Sequence, residues 1–114
     1  MSKIIAFFNL KPGVKVADYE AWARSVDLPT VNGLPSIRKF EVFKTTGLLG
    51  SDAKPPYRYV EIIDVRDMGQ FGEDVATPVM QKIASEFQGM AEVTFMTLKK
   101  IGWKRAKDAA ADAA

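Results

Sequence analysis

Large apolar side chains stand on both faces of the extended segments of this chain, and that pattern constrains its fold more than any other feature. Successive side chains of a strand point to opposite faces. In residues 3–10, Ile4, Ala6, Phe8 and Leu10 therefore face one way and Ile5 and Phe7 the other. Residues 57–65 divide into Val60 and Ile62 against Tyr57, Tyr59 and Ile63, and residues 92–101 into Val93 and Phe95 against Met96 and Leu98. A sheet with one wet face alternates apolar with polar residues instead. Both faces of this sheet need cover.

The intervening segments change period. Val16, Tyr19, Trp22, Ala23 and Val26 recur at helical spacing, with Asp18 and Glu20 near the start, where carboxylates suit the helix dipole. Asp27-Leu28-Pro29 is expected to end or bend this helix. Residues 36–45 read as a second strand, in which imperfect alternation predicts a bulge. Residues 46–56 form a loop containing Gly47, Gly50, Pro55 and Pro56, and residues 57–65 a third strand. Asp67 caps a second helix in which Met68, Phe71, Val75, Val79, Ile83 and Phe87 make one stripe. Thr77-Pro78 interrupts it, so Thr77 is expected to cap a second helical piece that ends at Gln88-Gly89. Residues 92–101 are the fourth strand.

The order βαββαβ predicts an α+β, ferredoxin-like domain over residues 1–104 with a four-stranded antiparallel sheet. Residues 105–114 read as a disordered low-complexity tail. Two helices cover one face of four strands. Large bare apolar patches are rare on soluble monomers, and closed two-fold dimers are the commonest oligomers. The second face is therefore expected to meet the same face of a second copy, giving a homodimeric α/β barrel.

Missing residue types bound the chemistry. The 114 residues include no cysteine and no histidine. Disulfides, thiol nucleophiles, serine-histidine triads and histidine-held metals or haem are excluded, and no metal or cofactor is expected. Lys99, Lys100, Lys104, Arg105 and Lys107 lie within nine positions. The net charge of only +2 and the lack of a nucleic-acid-binding module make this a solvated, edge-protecting end, not a nucleic-acid interface. The apolar N-terminal run is too short for a signal peptide, and no segment approaches the roughly 20 apolar residues of a membrane span. A cytoplasmic protein without a membrane partner is expected.

Several segments carry a family resemblance. Asn9-Leu10-Lys11-Pro12-Gly13, Thr46-Gly47-Leu48-Leu49-Gly50, Lys54-Pro55-Pro56-Tyr57 and Tyr59-Val60-Glu61 resemble the REDY-like family, which includes the HapK-like proteins associated with prodigiosin-type pigment biosynthesis. Phe71-Gly72, Pro78-Val79-Met80-Gln81 and Glu86-Phe87 extend the resemblance, which covers the chain from about Ile4 to Ile101. It implies a dimeric α/β barrel and a role in handling pyrrole-like aromatic intermediates. It supplies no catalytic set.

Glu61 is the most telling ionisable residue. A carboxylate in the middle of a buried strand costs free energy unless paired, and burial raises its pKa toward the range of proton transfer. It serves either a pocket or an ion pair with Arg38 or Arg58. Asn9 shares a face with Phe7 and, with the centres of the first and third strands aligned, comes opposite Tyr59. It then either orients a polar aromatic ligand or bonds the following turn. Tyr19 and Trp22 are expected to wall any cavity between helix and sheet, or simply to fill the core. Leu48 and Leu49 are apolar in a loop that should be polar, so they are expected to pack on a partner subunit, the cavity mouth or their own subunit. Trp103 is a candidate dimer contact.

The family resemblance, with an aromatic-rich fold that lacks strong nucleophiles and metal ligands, implies a dimeric accessory protein of secondary metabolism that binds a small, planar aromatic ligand. The alternatives are a cofactor-free oxygenase- or cyclase-type enzyme using Glu61 and Tyr59, and a non-catalytic assembly module.

Overall fold

The computed structural model describes residues 2–104. The expected tail, with Arg105 and Lys107 of the basic end, lies outside the described residues. Strands β1 (Ser2–Leu10), β2 (Ile37–Lys44), β3 (Tyr59–Val65) and β4 (Ala91–Leu98) form one sheet in the order β2-β3-β1-β4. Every neighbouring pair is antiparallel. This is the expected ferredoxin-like α+β arrangement, and the bulge in β2 falls between Ile37 and Lys39.

The two faces of the sheet separate as the alternation requires. Ile4, Ala6 and Phe8 of β1 are buried beneath the helices, together with Tyr59, Ile63 and Val65 of β3. On the opposite face, Ile5 pairs with Ile62 and Met96, and Phe7 with Val60 and Thr94. Phe7, Phe43, Met96 and Leu98 are exposed there. Tyr57 joins this outer face instead of lining up with Tyr59. It precedes β3, and its ring lies 5.7 Å from that of Phe7.

The first helix does not end at Asp27-Leu28-Pro29. Helix α1 (Val16–Trp22) widens into a π-helical turn (Ala23–Asp27) and continues as α2 (Leu28–Asn32). Proline lacks the N–H that continues an α-helical ladder and its ring crowds the preceding turn; the widened turn stands immediately before Leu28-Pro29. Asn32 then docks the helix on β2, with its side chain accepting from Phe40 N at 2.8 Å and donating to Phe40 O at 3.0 Å.

Helices α3 (Met68–Val75) and α4 (Pro78–Met90) complete the cover. Asp67 caps α3 as expected, accepting from Gly69 N at 2.8 Å and Gln70 N at 3.1 Å. Thr77 does not cap α4 with its side chain: its hydroxyl donates back to Asp74 O at 2.8 Å and satisfies the end of α3. Helix α4 runs past Gly89 to Met90, and β4 begins at the next residue.

Candidate functional site

Glu61 is carried into the interior by the alternation of β3. It shares the inner face with Tyr59 and Ile63, opposite Ala6 of β1 and Val42 of β2. The small Ala6 side chain leaves room beside the carboxyl. Glu61 is 2% exposed, and its Oε1 has no hydrogen-bond partner. Neither expected ion pair forms. Arg38 bonds Asp64 at 2.8 Å, and Glu61 makes no ion pair among the described residues.

Glu61 faces a cavity of about 310 Å³ between the inner face of the sheet and α2, α3 and α4. That volume lies in the range of small-molecule pockets. Ile4, Phe40, Ile63, Val75, Ile83 and Phe87 supply apolar wall, and only Asp27, Glu61 and Gln88 bring polar side chains. Gln88 is exposed, so the two acids are the buried polar groups.

Asp27 escaped the sequence reading, which treated it as helix punctuation. It is 5% exposed at the end of the π-helical turn. Its signal was its spacing: Tyr19, Ala23 and Asp27 follow one another at intervals of four along the buried side of the helix. Burial pushes the Asp27 carboxyl up to about 6. Glu61 is pushed up to about 8, chiefly by burial and further by the charge of Asp27. Glu61 therefore holds a proton to higher pH than Asp27 does.

Tyr19 lies beside the two acids but lines a second, smaller cavity instead of this one. It is fully buried, with its hydroxyl lacking a partner. Burial raises its phenol well above the ordinary value, and the charges of Glu61 and Asp27 raise it further. Its ring packs on Phe8, Tyr59 and Phe87.

The other anticipated residues stand elsewhere. The register of β1 and β3 is offset by one residue from the expected alignment, so Phe8, not Asn9, is opposite Tyr59. Asn9 keeps the face of Phe7, which is the outer one, and there its amide donates to Pro56 O and accepts from Arg58 N, both at 2.9 Å. It pins the long loop to the end of β1. Tyr59 keeps its ring in the core, stacked 5.3 Å from Phe8, but its hydroxyl donates to Glu20 Oε2 at 2.7 Å. Lys44 reaches the same oxygen at 2.8 Å. This polar cluster edges a separate cavity of about 190 Å³, which does not include Glu61. Trp22 is a clamp between helices instead of a cavity wall. Its Nε1 donates to Glu86 at 2.6 Å, and its ring stacks on Phe87 at 6.1 Å.

Leu48 and Leu49 line neither cavity. They occupy a tight turn in which Ser51 N donates to Leu48 O and Gly50 takes a φ of 75°. Leu49 projects fully into solvent, and Leu48 is 38% exposed. Leu49 therefore does not pack on its own subunit, and neither residue is part of a cavity wall.

The profile described as REDY-like protein HapK matches residues 2–101. The chain belongs to the HapK family of REDY-like proteins. The crystal structure of HapK from Hahella chejuensis is 31% identical to it, with a TM-score of 0.72, covering 93% of this chain and 98% of that one. Two more distant structures share the fold. SnoaB, a cofactor-independent oxygenase from Streptomyces nogalater, is 13% identical with a TM-score of 0.70, covering 90% of this chain and 94% of that one. A dimeric ferredoxin-like protein from Thermobifida fusca is 16% identical with a TM-score of 0.66, covering 85% and 88%. No curated protein matches the sequence. Among the described residues, no helix is long and apolar enough to cross a membrane.

Proposed function

We infer that this HapK-family chain is a homodimeric, cytoplasmic binding protein of secondary metabolism that takes a planar, largely apolar, pyrrole-like intermediate between its helices and sheet. The observation that carries this reading is the apolar cavity with Glu61 buried and unpartnered in its wall. Apolar walls supply affinity by area, and a few placed polar groups supply orientation. The exposed outer face of the sheet supports the dimer, since Phe7, Phe43, Met96 and Leu98 leave it an apolar surface unusual for a soluble monomer.

The test uses the built-in fluorophore. Trp22 stacks on Phe87, which is part of the cavity wall. In a Trp103→Phe background, titration with 2,2′-bipyrrole gives a saturable change in Trp22 emission. Absence of saturation across a panel of planar bicyclic compounds would remove the reading.

Glu61 itself favours a second reading, cofactor-free acid–base catalysis. A carboxyl pushed up to about 8 holds its proton near neutral pH and can deliver and recover it. Glu61→Gln then keeps ligand binding and abolishes turnover, whereas an accessory carrier shows no turnover to lose.

A further inference from the structure

The polar groups of the cavity are of one kind, and this deepens the reading just given, on which it rests. Asp27 and Glu61 are the two buried polar side chains of the wall, contributed by the π-helical turn and by β3. Neither forms an ion pair among the described residues. Arg38, Lys44 and Arg24, which lie on neighbouring elements, are engaged by Asp64 and Glu20. Glu61 Oε1 is buried without a partner. The remaining wall is hydrocarbon apart from the exposed Gln88.

Such a site has a chemical bias. An ionised carboxylate accepts hydrogen bonds and donates none; a neutral carboxyl donates once and still accepts. Two carboxyls on one cavity wall therefore offer more acceptor positions than donors, whether one or both hold a proton. A buried acceptor without a donor costs the desolvation of that group, and an uncompensated buried charge costs more. A ligand relieves that cost only by bringing a donor. A ligand presenting a further acceptor or an anion at the same point aggravates it.

We propose that the cavity selects planar ligands that direct a hydrogen-bond-donating nitrogen at the Asp27–Glu61 pair, and discriminates against ligands of the same shape that present only an acceptor there. Nitrogen sources of two kinds meet this requirement, the N–H of a heteroaromatic ring and a protonated amine. Both satisfy the same acceptors.

Matched isosteres test it on the intact wild-type protein. 2-Phenylpyrrole and 2-phenylfuran have nearly the same outline, and only the first carries an N–H. Isothermal titration calorimetry at pH 7 is expected to show the pyrrole binding at least about tenfold tighter, the equivalent of one hydrogen bond to a charged or polarised acceptor. 1-Naphthylmethylamine compared with 1-naphthoic acid repeats the comparison for a charged donor and a charged acceptor, with the amine preferred. Comparing the two preferences shows which nitrogen source the site favours. In Glu61→Met the furan binds about as well as before and the pyrrole preference falls below about twofold.

The outcomes separate cleanly. Equal binding of pyrrole and furan to the wild type overturns the proposed selectivity while leaving the cavity a ligand site. Binding of neither compound removes the ligand reading itself and this inference with it. The wild-type comparison stands even where Glu61→Met fails to fold.

Discussion

Glu61 makes the stability of this protein depend on pH in a direction opposite to that of most carboxylates. In the unfolded chain it titrates at an ordinary value near 4.5; in the folded chain burial and the Asp27 charge hold it near 8. The folded state therefore binds the proton more tightly. Stability from this group is complete below about pH 4.5, falls as the pH rises, and is fully lost above about 8. At about 1.4 kcal/mol for each tenfold change in proton affinity, the difference amounts to on the order of 4–5 kcal/mol, a large share of the stability of a small domain. Asp27 acts in the same direction, but its window closes near pH 6, so the interval from pH 6.5 to 8 isolates Glu61. Urea unfolding followed by far-ultraviolet circular dichroism, at fixed protein concentration, measures it. Over that interval the wild type is expected to lose about 1.1 kcal/mol per pH unit on average, the slope easing as the pH nears 8, and Glu61→Gln to stay level. The amide introduced by that substitution carries a packing cost of its own, but that cost does not vary with pH, so the slope is the test. Parallel pH profiles for the two proteins would show that Glu61 ionises normally and that the cavity is wetter than its geometry indicates.

Four further outcomes follow from the contacts. Asp27→Asn removes the charge that lifts Glu61 and lowers the Glu61 pKa, as read from its side-chain ¹³C carboxyl shift across a pH titration. Asn9→Ala breaks two hydrogen bonds that pin the loop before β3, costing about 1–3 kcal/mol in denaturant unfolding while ligand affinity stays within about twofold. Trp22→Phe keeps the stack on Phe87 but deprives Glu86 of its donor, lowering stability by about 1–3 kcal/mol. Replacing Leu48 and Leu49 together by serine weakens dimerisation by at least about tenfold in sedimentation equilibrium; because both side chains are exposed in the single chain, monomer stability changes by no more than about 0.5 kcal/mol.

The sequence by itself determined the element order, which side chains of each strand share a face, and the excess of apolar surface that two helices cannot cover. It did so because strand alternation and helical spacing are local, set within a few bonds of each residue. The same locality made the Asp67 cap legible and put Glu61 on the inner face with Tyr59 and Ile63. The relation between elements is not local. The register of β1 against β3 depends on how the whole sheet packs, and an offset of one residue put Phe8, not Asn9, opposite Tyr59, while Asn9 kept the outer face it shares with Phe7. The outcome for Asp27 was likewise tertiary. Its sequence neighbours, Leu28 and Pro29, look like the end of a helix, yet packing on β2 carries the helix onward through a widened turn. That turn brings a second acid to the cavity wall that holds Glu61. Only the tertiary structure made the two carboxyls a pair, because the free energy of a buried charge depends on what the fold places around it and not on the residues beside it in the chain.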